Sequence, residues 1–517
     1  MVTLFAIFSC SVTLFADPNT IVWSSSVSAG HLNPHLYHPN QIFAQMLVYD
    51  RLVSYGFGGK IEPSLAESWD ISEDGKVYTF HLRPGVKFSD GDPFNAEVVA
   101  KNFETIMTNK ARHAWQEITN RIEKWEVVDD LTFKLYLSSP YSAALSDLAA
   151  FRPYRFLNPR YFPDSGKTVD GIKSPVGTGP FKYVEGKPNE YDLFERNDLY
   201  WGDKAKVEKV MIKVIPEPLT RAIALQTGDI DLIFGSGQIG FDEFDRFSKD
   251  PAYVTQKALP NSTMTIAVNT AREPTNNLDV RRALQYVLDR NEIIQGLFMG
   301  HQDPAYFYCN PLFRFCDLKI DPYPYDLNLA AKTLDAAGWV LPAGQTVREK
   351  DGKKLEIPFS YIGADANQKA IAEAYQAQAA RAGISIVLIP EESNTWLTHA
   401  KEGNFSLATF ETWGIPLEPE AALSGMRSPA VMEYQAQVGL PDKAEIDAKI
   451  TKMLETANEE ECAKLVREVL LRLHEEAVYI PIYSISIVEV HKKGVLDNVV
   501  FDTDRYHVPF EKMVKLK

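Results

Sequence analysis

The chain has 517 residues, of which 45% are hydrophobic and 24% charged, a balance that supports two or three packed cores and excludes disordered, fibrous and repeat classes. With 69 acidic against 54 basic residues the formal charge is −15, which argues against a phosphate-binding surface and excludes nucleic acid as the expected partner.

The first residues, MVTLFAIFSCSVTLFADPNT, form an apolar run too short to span a bilayer. Residues 1–16 therefore read as a secretory signal peptide, with Ala16 before the cut. Phe8 fits poorly in the small-residue position ahead of a lipidated Cys10, so lipid anchoring is not expected. The mature protein is expected to be exported to the periplasm.

HLNPHLYHPN, residues 31–40, then places His31, His35 and His38 close together. Pro34 and Pro39 interrupt the helix that would bring all three onto one face, so the stretch reads as a loop and not as a self-contained metal site.

From 72 to 88, SEDGKVYTFHLRPGVKF has a turn at Asp74-Gly75 and strict alternation around it, which predicts a hairpin with His81 on the strand surface. AEVVAKNFETIMTN carries helical spacing at Val98, Phe103, Ile106 and Met107. Strands are expected at WEVVDDLTFKLYL and VEKVMIKVI, and helices at TRAIALQTG, LDVRRALQYVLDRNEIIQGLF, LNLAAKTLDAAGW, ANQKAIAEAYQAQAARAG and AEIDAKITKMLETANEEECAKLVREVLLRL. This interspersion predicts α/β layers without an internal repeat.

GSGQIG at 235–240 satisfies the G-x-G-x-x-G pattern, but no acidic residue follows at the spacing a ribose partner needs. No nucleophile elbow, H-E-x-x-H, C-x-x-C pair or P-loop is present, so the chain is not expected to be an enzyme. The separation of Cys309 and Cys316 permits a short disulfide or two free thiols in an oxidising compartment. Cys462 reads as a half-buried helix residue.

LAESWDISEDGKVYTFHLRPGVKFSDGDPFNAEVV resembles the signature of extracytoplasmic solute-binding proteins of the peptide/nickel class, which deliver ligands to ABC importers. The resemblance continues through GTGPF, NDLYWG, TRAIALQTGDIDLIFG, VRRALQYVLDR, AAKTLDAAGW and HEEAVYIPIY. Within that class, LNPHLYHPNQIFAQ, NKARHAWQEI, FRPYRF and TWGIPLEPE are similar to nickel-carrying members. It implies a two-lobed α/β fold, with 17–260 plus 486–517 as lobe I, a subdomain of that lobe around 66–180, and 261–485 as lobe II.

The resemblance also implies a ligand: nickel(II) as a chelate with L-histidine or a carboxylate chelator, held in the interlobe cleft of a monomer and passed to a cognate membrane permease. Arg112 and Arg152 match the class's carboxylate-binding arginines, and Tyr37, Trp115 and Trp413 its aromatic walls. Peptide-binding members place an Asp three residues after the Trp of W-x-x-D, where it meets the peptide ammonium. Here that position is Pro416, which weighs against the alternative of a dipeptide or oligopeptide carrier. The histidine that follows M-R-x-P and ligates metal in the class is replaced by Val431, while Leu417 and Ile42 replace a cleft Tyr and Met. His507 is the first candidate to supply the missing nitrogen, with His31 and His38 ranked equally after it. A third alternative is a secreted metal-dependent hydrolase using the histidine-rich loop.

Overall fold

The computed structural model describes residues 19–38, 41–56, 60–417, 419–456 and 458–516. The expected signal peptide, along with Pro39, lies outside the described residues. No helix among the described residues is long and apolar enough to cross a membrane.

Two sheets organise the molecule, each the centre of one lobe. The seven-stranded sheet runs in the order Tyr253–Lys257, Val488–Lys492, Leu232–Gly235, Thr20–Ser25, Lys209–Val214, Tyr191–Arg196, Phe181–Lys187. Its middle strand, TIVWSS, pairs in parallel with both neighbours and is buried at every position, as a strand covered on both faces must be. The six-stranded sheet runs Asp303–Pro304, Tyr479–Ile485, Ser262–Val268, Leu407–Glu411, Glu356–Ile362, Ser385–Glu391. Its parallel edge pair is joined by the helix Ala366–Ala380, the crossover that a parallel connection requires.

The chain changes sheet twice. It leaves the seven-stranded sheet after Lys257 and enters the other at Ser262, then returns between Ile485 and Val488. The tail packs Val499, Val508, Phe510 and Met513 into the core of the first lobe, beside Trp23 and Leu47.

A four-stranded sheet, Ala66–Ile71, Val77–Leu82, Thr132–Leu137 and Ile122–Asp129 by position, contains the expected hairpin. Alternation buries Tyr78, Phe80 and Leu82 with Phe133, Leu135 and Leu137, against Val99, Phe103 and Ile106 of the helix Ala96–Thr108. Gly75 closes the turn at φ +67°, a left-handed conformation natural to glycine. In GTGPF, Gly177 lies so close to Val48 that a Cβ would fall 2.0 Å from its carbonyl oxygen, so that motif is a close-approach device.

Two expected helices are each divided. The run from 278 to 298 breaks into Leu278–Tyr286 and Arg290–Phe298, because Asp289 accepts from the Glu292 N–H and starts a second helix. The run after 443 breaks into Lys443–Glu455 and Glu459–Glu475, with Asn458 capping the latter. Cys309 and Cys316 are disulfide-bonded, and Cys462 is a buried free thiol. GSGQIG forms the turn from strand Leu232–Gly235 into helix Phe241–Ser248.

Candidate functional site

The seam between the lobes gathers four chain segments. Loop 31–38 and the first-lobe segments around 112–115 and 151–152 meet the second-lobe turn Trp413-Gly414-Ile415-Pro416. Ile42, Met46, Ala150 and Phe151 from the first lobe form one apolar cluster with Leu417 and Ala421 from the second, flanked by Trp115, Trp413 and Tyr506. Ile42 and Leu417 thus make an apolar floor under the aromatic residues.

Above this floor the ring of Tyr37 is stacked with cations. The Arg152 guanidinium lies 4.1 Å from the Tyr37 ring centroid and 4.9 Å from that of Trp115, while Arg112 lies 5.1 Å from Tyr37. Arg112 also donates to the Tyr37 carbonyl at 2.8 Å, and the Trp115 indole N–H donates to the Tyr37 hydroxyl at 2.8 Å. Across the seam Trp115 meets Trp413 edge-on, with centroids 6.1 Å apart. Glu433 holds Trp413 by accepting its indole N–H at 2.6 Å.

Neither arginine has a carboxylate partner among the described residues. The Arg152 Nε is buried with no hydrogen-bond partner. Burial draws the pKa of this guanidinium downwards, and the neighbouring Arg112 adds to that. The arrangement is a pair of guanidinium groups set against aromatic walls. In FRPYRF the second arginine plays another part: buried Arg155 donates to the Phe151 and Tyr49 carbonyls and braces the loop.

The histidines are distributed differently from the expectation. His507 has its Nδ1 2.7 Å from Asp502 and its Nε2 3.5 Å from Glu511. Burial lowers its pKa, but Glu511 and Asp502 outweigh this and raise it to about 10. Both ring nitrogens thus face carboxylates, an arrangement that favours the protonated imidazole, which has no lone pair for a metal. His31 is exposed, and its Nδ1 accepts from the Asn33 N–H at 3.0 Å. Burial, Arg112 and His38 push its pKa down. Its neutral form therefore carries the proton on Nε2, and a metal there would force the proton to Nδ1 and break the Asn33 bond. His38 is exposed at the end of the same loop. His35 is structural, bonded to Thr168 at 2.9 Å and to the Arg155 carbonyl at 3.0 Å.

Among the described residues no group of three or more His, Cys, Asp or Glu is placed to hold a metal ion. Val431 precedes a short helix and offers no donor.

Sequence reasoning missed Tyr506 and Glu433, and left open which way His113 faces. Tyr506 meets Phe151 edge-on with centroids 4.6 Å apart and reaches the surroundings of Arg152 from the tail. His113 packs 5.9 Å from Tyr37, with both ring nitrogens buried and unbonded. Burial, Arg112 and Arg152 lower its pKa to about 4, so it stays neutral. Only its place beside Arg112 and Trp115 signalled it.

Further contacts hold the lobes together here. Glu117 of the first lobe pairs with Arg427 of the second at 3.2 Å and with Arg121 at 2.9 Å. Ser142 donates its N–H to the Leu454 carbonyl at 2.8 Å, and Arg505 in the tail pairs with Glu411.

Residues 60–434 match the model of the bacterial extracellular solute-binding proteins, family 5. The chain is 43% identical to the nickel-binding periplasmic protein of Escherichia coli K12, over all of this chain and 98% of that protein. It is 28% identical to heme-binding protein A of Haemophilus influenzae, over 90% of this chain and 87% of that one. The structure is similar to that of NikA from Brucella suis in complex with Fe(III)-EDTA, with a TM-score of 0.94 and 42% identity over 96% of this chain and 99% of the other. Two sheet-centred lobes and a chain that crosses twice between them fit these matches, and the chain belongs to the family-5 bacterial extracellular solute-binding proteins.

Proposed function

We propose that this protein captures a nickel(II) chelate in the interlobe seam and delivers it to an ABC importer. The observation that carries this reading is the pair of guanidinium groups at Tyr37 without a carboxylate partner among the described residues. A half-buried cation in an aromatic box is stabilised by an incoming anion, and a planar guanidinium suits a carboxylate in two-point contact. Arg152 and Arg112 bind the outward carboxylate oxygens, and Tyr37, Trp115 and Trp413 enclose the organic part. The chelator is L-histidine or a small polycarboxylate. It completes the metal's coordination itself, a reading supported by Val431, which has no donor, and by Asp502 and Glu511, which face both ring nitrogens of His507. The 43% identical Escherichia coli relative is named for nickel binding, and the Brucella neighbour was solved with a polycarboxylate metal chelate.

Residues 17–260 with 486–517 serve as lobe I, including its subdomain at 66–180, and 261–485 as lobe II, closing as a monomer around the chelate. Residues 1–16 direct export to the periplasm. A peptide ammonium would enter a seam already rich in cations, with Pro416 in place of an acid, so a dipeptide is disfavoured. The test is calorimetry with NiCl₂ alone, nickel with L-histidine, nickel with a tricarboxylate, and metal-free dipeptides. Binding of one chelated form and neither free nickel nor dipeptide is expected. Tight binding of metal-free dipeptides would overturn the proposal.

A further inference from the structure

A cavity of about 490 Å³ lies beside the crossover between the lobes, apart from the aromatic box. Its walls include Leu259, Leu312, Phe313, Ile415 and Phe501. Leu259 and Leu312 are 56% and 63% exposed, so two large apolar side chains from different segments stand towards open space here.

The walls are preformed. The Cys309–Cys316 disulfide closes the loop that bears Leu312 and Phe313, and Asn310 ties that loop to Ser484 at 3.0 Å. Asn261 fixes the crossover by its N–H to Ile485 and its carbonyl to Ile415, each at 3.0 Å, while Thr503 bonds the Tyr55 carbonyl at 2.6 Å.

Three charged residues line the cavity, and each already has a counterion. Lys257 pairs with Asp303 at 2.8 Å, Arg314 with Glu459 at 3.5 Å and Glu420 at 3.8 Å, and Asp502 with His507 at 2.7 Å. The site therefore offers apolar area and no charge without a counterion, with the buried Arg314 Nε left without a hydrogen-bond partner.

We infer that this cavity is a second binding site, for an uncharged apolar small molecule held between the crossover, the disulfide loop and the tail. A net charge on the ligand would be desolvated there without compensation. This inference does not rest on the nickel reading: it uses neither arginine and none of the aromatic walls of the box, and shares with the seam Ile415 of the turn that follows Trp413.

The experiment titrates the mature protein with the neutral fluorophore N-phenyl-1-naphthylamine and with its anionic counterpart 1-anilinonaphthalene-8-sulfonate. Saturable one-site binding of the neutral probe is expected, with the anionic probe about tenfold weaker or more. Leu312→Asp and Leu259→Asp should each weaken the neutral probe by about tenfold while leaving the melting temperature and the chelate affinity unchanged, since both side chains are largely exposed. Arg152→Ala should not alter it. Unsaturable binding, equal affinity for the two probes, wild-type affinity in both leucine variants, or loss of the probe in Arg152→Ala would each overturn the assignment.

Discussion

At the scale of single residues, the two arginines differ in what surrounds them. Arg152 is half-buried between Tyr37 and Trp115, so Arg152→Ala should weaken chelate binding by about 1.5–3 kcal/mol, the range of a charge-assisted contact. Arg112 is exposed, and solvent screening limits Arg112→Ala to about 0.2–1 kcal/mol. Calorimetry on the two variants measures both, and equal losses would contradict the geometry. His507 makes a different prediction. Its folded pKa, near 10, lies above the ordinary 6.5, so protonation favours the folded state. The resulting stability is fully present below 6.5 and is lost as pH rises through 10. His507→Gln should cost roughly 3 kcal/mol at pH 6, because it leaves Asp502 and Glu511 without their cation, and the cost should shrink towards pH 10. Thermal unfolding of both proteins across that range tests it. Chelate affinity in the variant should show no protein-side step near pH 6.5.

At the scale of elements, alternation and caps were readable where one face meets solvent. Val77–Leu82 and Thr132–Leu137 alternate because the other face packs under a helix. The central strands Thr20–Ser25, Ser262–Val268 and Tyr479–Ile485 are buried throughout, so their apolar runs carry no period to read. The division at Asp289 was overlooked because apolar spacing continues across it, although Asp is a good cap. Asp289→Ala should lower stability by about 1 kcal/mol, read as a shift in denaturant midpoint, and leave chelate affinity unchanged.

For the molecule as a whole, closure rests on contacts that no local pattern announces. Glu117 joins Arg427 across the seam, and Trp115 meets Trp413. Glu117→Gln should weaken the closed state and speed chelate release about threefold to tenfold, with little effect on association. Stopped-flow dissociation and small-angle scattering would show this as faster release and a larger radius of the liganded protein. An unchanged release rate would mean that the pair contributes nothing to closure.

The sequence by itself determined the α/β class, the hairpin, most helices and the aromatic and cationic residue types, since these depend on periodicity, turn chemistry and side-chain identity within short windows. It also carried Val431 and Pro416, because a missing donor or carboxylate is visible in one letter. Which side chains share a space was decided by the tertiary structure. Tyr37, Arg112 and Arg152 come from three separate segments of the first lobe, and Trp413, more than two hundred positions further on, meets them only because the chain crosses between two sheets. The same holds for His507. Its letter suggests a metal ligand, whereas only the fold shows Asp502 and Glu511 brought onto its two nitrogens, where they favour its charged form.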